Sequence, residues 1–486
     1  MIRNAILIAL AYAFAQNAHA FCGFYVAKAD ATLFNDRSEV ILVRDGLRTV
    51  ITMSNDFLGD VRDFAMVVPV PVVLQESDIR VVDRSIFQKL DGYSSPRLVE
   101  YWDSNPCGQW MYANEEMSLD RAAATADMGS SRRENDKAKD YGVTIEAQYT
   151  VGEYDILLLS ATESMGLKDW LIANGYKIPA TAHEVLDPYI KSNLKFFVVK
   201  VDLDQPQTKG EYLRPIQISF SHEKFMLPIR LGMANSQGQQ DMIVYAFTRT
   251  GRVECVNYRT VKVPTDRNIP LFAQQKFGPM YKDLFARTWK REGRNAVFLE
   301  YAWNVTPSWG GMKCDPCVGP PPVDREFVDA GVNWIGGANG ANGNSVFFTR
   351  LHVRYGRDKF PQDLMFQVTP NTEHFQARYI LTHPAQGDLT CESGQEYLEQ
   401  LYYRRVREMD ELYALTGWDL SAERDYMNEV RGKLAPERRN SLDMVPVPGN
   451  NDGGGNNGWK LVIAFSAVLA GIGYALRSTS TTVGAV

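Results

Sequence analysis

The longest apolar run outside the chain ends is Asp63-Phe64-Ala65-Met66-Val67-Val68-Pro69-Val70-Pro71-Val72-Val73-Leu74. Nine of its twelve residues are apolar and not proline. That pattern predicts a strand buried on both faces. Its prolines lack a backbone donor, so the strand must end, bulge or meet a sheet edge at Pro69. Two strand-like runs precede it, Glu39 to Val43 and Arg48 to Met53, with Asp45-Gly46 as the turn signal between them. The body of the protein is expected to assemble on the sheet made by these runs. A short helix is predicted over Ser85 to Leu90.

The stretch Tyr112 to Asp140 holds few large apolar residues and reads as a solvated loop or frayed helix. Alternation returns at Val143 to Tyr149, followed by a buried strand at Tyr154 to Ser160. Ser164 to Asn174 then fits a helix stopped by Gly175. The densest β region runs from Leu194 to Val263, with strands at Phe196 to Leu203, Pro215 to Phe220, Met242 to Arg249 and Arg252 to Val263. A helix at Met280 to Lys290 follows, then strands at Phe298 to Trp303, Val346 to Tyr355 and Leu364 to Val368. Near the end the period becomes helical. Tyr402, Val406, Met409 and Tyr413 form a stripe expected to lie on the sheet, and Met427, Val430 and Leu434 mark a second helix. The two make an αα-hairpin.

Both chain ends carry apolar segments of another kind. Arg3, the apolar run Ala5 to Ala15 and Ala18-His19-Ala20 have the layout of a secretory signal peptide. Near the other end, Pro446 to Gly458 is a Gly/Asn/Pro linker. It leads into Trp459 to Leu476, whose single charge is Lys460. At about 18 residues this reaches roughly 27 Å as a helix, just enough for a thin membrane core. Trp459 and Lys460 suit one interface and Arg477 the other.

The expected fold is therefore α+β and β-rich, mainly antiparallel, with peripheral helices, a C-terminal αα-hairpin and then a single transmembrane helix. The expected division is 1–20 signal peptide, 21–305 β-rich body and 306–440 C-terminal body with the hairpin. A linker at 441–458, an anchor at 459–476 and a tail at 477–486 complete it.

Composition narrows the function classes. The net charge is −6 and no basic stripe is present, which argues against a nucleic-acid partner. All six cysteines (Cys22, Cys107, Cys255, Cys314, Cys317 and Cys391) follow the leader-like segment. An even number in an exported chain suggests disulfides, and six cysteines allow 15 complete pairings. The turn Cys314-Asp315-Pro316-Cys317 can bring its two sulfurs together. Cys22 with Cys107 is the second expected pair, which would tie down the N-terminal segment.

Several segments together resemble one family: Cys22-Gly23-Phe24-Tyr25-Val26-Ala27-Lys28, Asn55-Asp56-Phe57 with the Asp63 run, and Gly152-Glu153-Tyr154-Asp155. Phe225 to Gly232, Cys314-Asp315-Pro316-Cys317 and Leu415-Thr416-Gly417-Trp418-Asp419 belong to the same pattern. The chain resembles the exported bacterial family catalogued as domain of unknown function 2330, from about Cys22 to about Asp419. That resemblance implies location and architecture and transfers no catalytic residue. The tail is similar to C-terminal envelope-sorting tails, but has one Arg where they carry a cluster, and ten residues follow the apolar run.

No motif commits the chain to a reaction. A redox CxxC needs a helix N-terminus beside its first thiol. Val318-Gly319-Pro320-Pro321-Pro322 follows instead, poor in donors. No second CxxC or spaced His pair completes a zinc site. His222-Glu223 lacks the second His of a zinc-protease helix. His352, His374 and His383 share no ligand spacing, and His352 reads as the polar side of a strand. The spacing of Asp202, Asp204 and Glu211 does not fit a calcium loop. No cofactor is expected. The favoured reading is a membrane-tethered binding or scaffold protein outside the cytoplasm, its partner an envelope protein or polymer. The alternative is an exported enzyme, either thiol redox through Cys314 and Cys317 or a hydrolase with an unrecognised site.

Overall fold

The computed structural model describes residues 24–27, 38–54, 64–107, 141–174, 182–201, 214–235, 238–305, 321–335 and 345–442. Its centre is a nine-stranded sheet. In chain order the strands are β1 (Ser38–Asp45), β2 (Arg48–Ser54), β3 (Ile79–Val81), β4 (Ile216–Ser221), β5 (Gln240–Thr248), β6 (Arg259–Lys262), β7 (Ala296–Asn304), β8 (Phe347–Tyr355) and β9 (Phe375–Gln376). The spatial order is β6-β7-β8-β5-β1-β2-β4-β3, with β9 added to β7. β1 and β2 form a hairpin through Gly46, whose φ of +56° is the left-handed conformation that glycine adopts without steric cost.

The apolar run does not found this sheet. Phe64–Val70 belongs to a separate five-stranded sheet, between Phe24–Ala27 and Lys195–Val201. Pro69 pairs with Phe196 on one side. On the other side the pairing with Phe24–Ala27 covers only Phe64 to Val67, so the missing donor of Pro69 falls beyond that partner. Val143–Val151 and Tyr154–Ala161 complete the sheet as an antiparallel hairpin. The helices Ser164–Ala173 and Ala182–Lys191 cover one face through Leu167, Trp170, Leu171 and Leu186.

Two features of the expected fold need correction. The sheets are mixed: β5 runs parallel to β1, β6 to β7, and Arg378–His383 runs parallel to both Arg97–Trp102 and Arg267–Asn268. Alternating polarity specifies a face but not a strand direction, and the connections between these pairs are long enough to cross over. Second, among the described residues no helix is long and apolar enough to cross a membrane. The expected transmembrane helix, with Trp459, Lys460, Leu476 and Arg477, lies outside the described residues, as do the leader-like segment and the linker. The central sheet also takes strands from both sides of residue 305, so that boundary separates no sheets. Arg252 to Val263 is not one strand: Val253–Cys255 pairs with Leu364–Val368, whereas β6 joins the central sheet.

Helix α1 (Ser85–Ser94) packs on the central sheet through Ile86, Phe87 and Leu90, and α2 (Phe277–Arg291) does so through Phe285 and Trp289. Helices α3 (Glu392–Thr416) and α4 (Asp425–Lys433) form the helical hairpin. They share a core with α2, around Leu398, Met409, Leu412 and Val430. Of the expected stripe, Tyr402 and Met409 are buried and Val406 packs against the same core, while Tyr413 is exposed; the buried side also takes in Leu398, Leu401, Arg405 and Glu408. α3 stops at Gly417, whose φ of +76° forms the left-handed cap, as Thr416-Gly417 would require.

Candidate functional site

Two polar constellations stand out, one closed and one open. The closed one lies on the central sheet. On β8, Arg350, His352 and Arg354 share a face, while Leu351, Val353 and Tyr355 enter the main core on the other. The register of β7 against β8 shifts between Leu299 and Tyr301, leaving Glu300 as the extra residue of a bulge. A bulge re-aims a side chain, and here it buries the Glu300 carboxylate at 1% exposure.

That carboxylate takes three donors: Arg350 Nε at 2.6 Å, Tyr281 Oη of α2 at 2.5 Å, and His352 Nδ1, 2.8 Å from Oε1. Arg350 reaches on to Asp91 of α1 at 2.7 Å. Tyr245 Oη lies 2.8 Å from Glu39 and 3.1 Å from Asp91, so its single proton is shared between two carboxylates. On the far side, His352 Nε2 lies 3.2 Å from Asp241, which Arg354 grips with two bonds. Phe285 stacks on the imidazole at 3.7 Å.

The pKa directions follow from this geometry. Burial alone would push Glu300 up, but His352 and Arg350 hold it below the usual carboxylate range. Burial would likewise lower His352, but Glu300 and Asp241 raise it. Burial opposes the charge on Asp241 too, and the bonds from His352 and Arg354 pull it well down. His352 thus lies between two carboxylates that favour its protonated form. The cluster is an internal charge network that joins α1 and α2 to the sheet.

The open constellation lies at the helical hairpin, where a cleft of about 410 Å³ runs between α3, α4 and the loop Pro384 to Thr390. Leu398 and Val430 form its floor, while Arg405, Glu429 and Lys433 stand among its walls. Arg405 is 3% exposed and stacks over Tyr426 at 4.2 Å. Its Nη1 donates to the Tyr426 carbonyl and to Glu429 at 3.0 Å. Lys433 Nζ also donates to Glu429, at 2.8 Å, and this bond is the main reason the Glu429 carboxyl sits below its usual range.

A disulfide fixes this end of the molecule. Cys107 is bonded to Cys391, 284 residues away, rather than to Cys22. The reason is local: Asn105 Nδ2 donates to the carbonyls of Gln386 and Asp388, which draws the Cys107 turn onto the cleft loop. Cys391 caps the start of α3, its sulfur accepting from Gly394 N at 3.2 Å. A Cβ at residue 394 would lie 2.7 Å from Cys107 Sγ, so glycine permits the approach. Cys255 is free and buried, and burial pushes its thiol up. Cys22, Cys314 and Cys317 lie outside the described residues.

Among the described residues no group of acidic, His or Cys side chains is arranged to hold a metal ion. His222 is half-buried and accepts from Lys224 N at 3.0 Å, apart from both constellations. His374 stacks on Trp303, and His383 on Trp102. Sequence reasoning did not find the cleft. One signal was readable: Arg405 occupies a position in the Leu398, Leu401, Met409, Leu412 stripe where an apolar residue is expected.

A family profile described as an uncharacterized protein conserved in bacteria, DUF2330, matches residues 16–367. That segment includes the buried network and Cys107 and ends before the cleft loop. No curated protein matches the chain. Among solved structures, a mutated baculovirus P35 after caspase cleavage aligns with 45% of this chain and 68% of its own. The identity is 8% and the TM-score 0.22, too low to carry over a fold.

Proposed function

The chain belongs to DUF2330, a family conserved in bacteria, and from that premise we propose that it is a ligand-binding module working outside the cytoplasm through the α3–α4 cleft. The observation that carries this reading is Arg405. Its guanidinium lines the cleft at 3% exposure and is held through Nη1 by the Tyr426 carbonyl and Glu429. A guanidinium in a cleft wall makes strong, charge-assisted bonds when an oxygen acceptor arrives. A ligand bearing carboxylate, carbonyl or hydroxyl oxygens supplies that acceptor.

The location rests on separate support. A solvent-exposed disulfide persists in oxidising compartments and is rare in the cytosol. The leader-like Met1 to Ala20 agrees with it.

Both parts have a direct test. The purified chain is screened by thermal shift against oligosaccharides, amino acids, dicarboxylates and short peptides, beside a Gln386→Trp variant that fills the cleft from its exposed rim. A ligand at a hundred times its Kd stabilises by about 2.7 kcal/mol, and the variant should lose this effect. No binder in the panel, or binding that survives Gln386→Trp, refutes the cleft. Protease added to spheroplasts should digest the body, and full protection refutes the location.

A further inference from the structure

The Trp102 ring is 69% exposed, the most exposed of the large apolar side chains described. It is held in place, however. Trp102 and His383 are register partners on parallel strands, and their rings stack at 4.9 Å with an 8° tilt. His383 Nε2 lies 2.7 Å from Glu100, which also accepts from Gln274 at 2.9 Å. The result is a flat aromatic face, fixed from behind and open to solvent.

This platform is tied to the cleft. Pro384, next to His383, begins the cleft loop. Asp103, next to Trp102, accepts from Tyr397 Oη at 2.6 Å and from Arg404 of α3 at 2.7 Å. Asn105 is bonded to the loop itself. The stretch of α3 from Gln395 to Arg405 that lines the cleft is about 15 Å long at 1.5 Å per residue.

We propose that the Trp102–His383 platform and the cleft together recognise a polysaccharide chain, one sugar ring lying on Trp102 and neighbouring rings entering the cleft. This rests on the reading of the cleft as a ligand site. A pyranose has an apolar C–H face and a polar rim, so it needs one flat aromatic surface with hydrogen-bonding groups at its edge. Trp102 supplies the surface. Arg405 and Lys433 supply donors for hydroxyl or carboxylate substituents, and Asp388 and Glu429 supply acceptors. Stacked bases of a nucleic acid would also suit the indole, but they require a basic groove. Here the two cations face two anions, and Glu100 and Asp103 flank the platform. A protein partner would take Trp102 as the centre of a broad apolar patch; Tyr101 beside it is also exposed, but Asp103, Ser104 and Asn105 are polar.

The test is fluorescence titration of the full chain with hexasaccharides of glucose, N-acetylglucosamine and a uronic acid, with a single-stranded DNA oligomer as control. At least one hexasaccharide should shift the Trp emission to the blue. Trp102→Ala should weaken that binding at least tenfold, and Trp102→Phe should retain most of it. The thermal midpoint should be unchanged in both, because the side chain is exposed. Binding of no hexasaccharide, equal binding by Trp102→Ala, or preference for DNA overturns the proposal. If a non-sugar ligand from the screen binds and Gln386→Trp abolishes it, the cleft stands and the polysaccharide falls.

Discussion

Replacing Glu300 by Gln tests the internal charge network most directly. The side chain keeps its size, but one acceptor oxygen becomes an NH₂ group. Three donors now converge on this carboxylate, from Arg350, Tyr281 and His352. Gln offers one oxygen, so at least one donor faces another donor. The charge change adds to this: Arg350 keeps Asp91 and His352 keeps Asp241, but the anion between the two cations is gone. Removing one partner of a buried pair costs about 3–5 kcal/mol. The retained oxygen places Glu300→Gln near the lower end, about 3 kcal/mol.

The pH dependence gives a second readout. The folded-state pKa of His352 is raised, so its stabilising contribution is full below its unfolded value of about 6.5. It is lost as pH rises through the folded value. Removing Glu300 removes one of the two carboxylates that raise it. The difference between wild type and variant should therefore be largest near pH 5.5 and shrink toward pH 9. Urea unfolding followed by tryptophan fluorescence at both pH values measures it. A loss below about 1 kcal/mol at pH 5.5, or a larger loss at pH 9, would refute the account.

Three other outcomes are expected. Cys107→Ser should destabilise by up to about 5–6 kcal/mol, the loop-entropy value for a 284-residue separation, read as a lower melting temperature that added reductant reproduces in wild type; non-reducing peptide mapping should recover the Cys107–Cys391 peptide. Asp410 has an oxygen without a partner among the described residues, and burial, aided by Glu411, pushes its carboxyl up to about 6 from 3.8. The cost of ionising it is absent below pH 3.8 and complete above pH 6, so Asp410→Asn should stabilise at pH 7.5 and have no such effect at pH 3.5. Because the group is half exposed, solvent screening limits the gain to about 1 kcal/mol. Gly417→Ala should cost about 1 kcal/mol in thermal unfolding, since φ is +76° and the new Cβ would fall 2.6 Å from Arg287 Nη1.

Local pattern made many elements legible. The β1–β2 hairpin, the strand in the Asp63 run, α2 and the stop of α3 at Gly417 all follow from alternation, helical period and turn residues. What the sequence left open was assembly. The runs that look contiguous, residues 39–53 and 63–74, enter different sheets, because pairing is decided by distant partners such as β5 and Lys195–Val201. His352 read as a strand's polar side, and its face was assigned correctly to that extent. Its environment was not readable, because the carboxylate that meets it comes from a bulge 52 residues away. Cys107 was expected to pair with Cys22 and pairs with Cys391 instead, for a similar reason: the Asn105 bonds that place it are made to backbone carbonyls, which leave no residue-type signal. The cleft was half legible, through a charged residue in the apolar stripe of α3, and its other wall is a loop with no pattern of its own.

The parallel pairing of β1 with β5 has a temporal consequence. At the ribosome β1 and β2 are made early and can form a hairpin at once. Its neighbours in the sheet come much later: β4, which pairs with β2, follows roughly 160 residues on, then β5 beside β1, and β8, which carries Arg350 and His352, later still. Until then both edges of the hairpin expose unpaired backbone and apolar side chains to whatever else is nearby. The sulfur that Cys107 needs comes last, with Cys391. The central sheet can therefore be completed only after β8 and β9 have been made, late in synthesis.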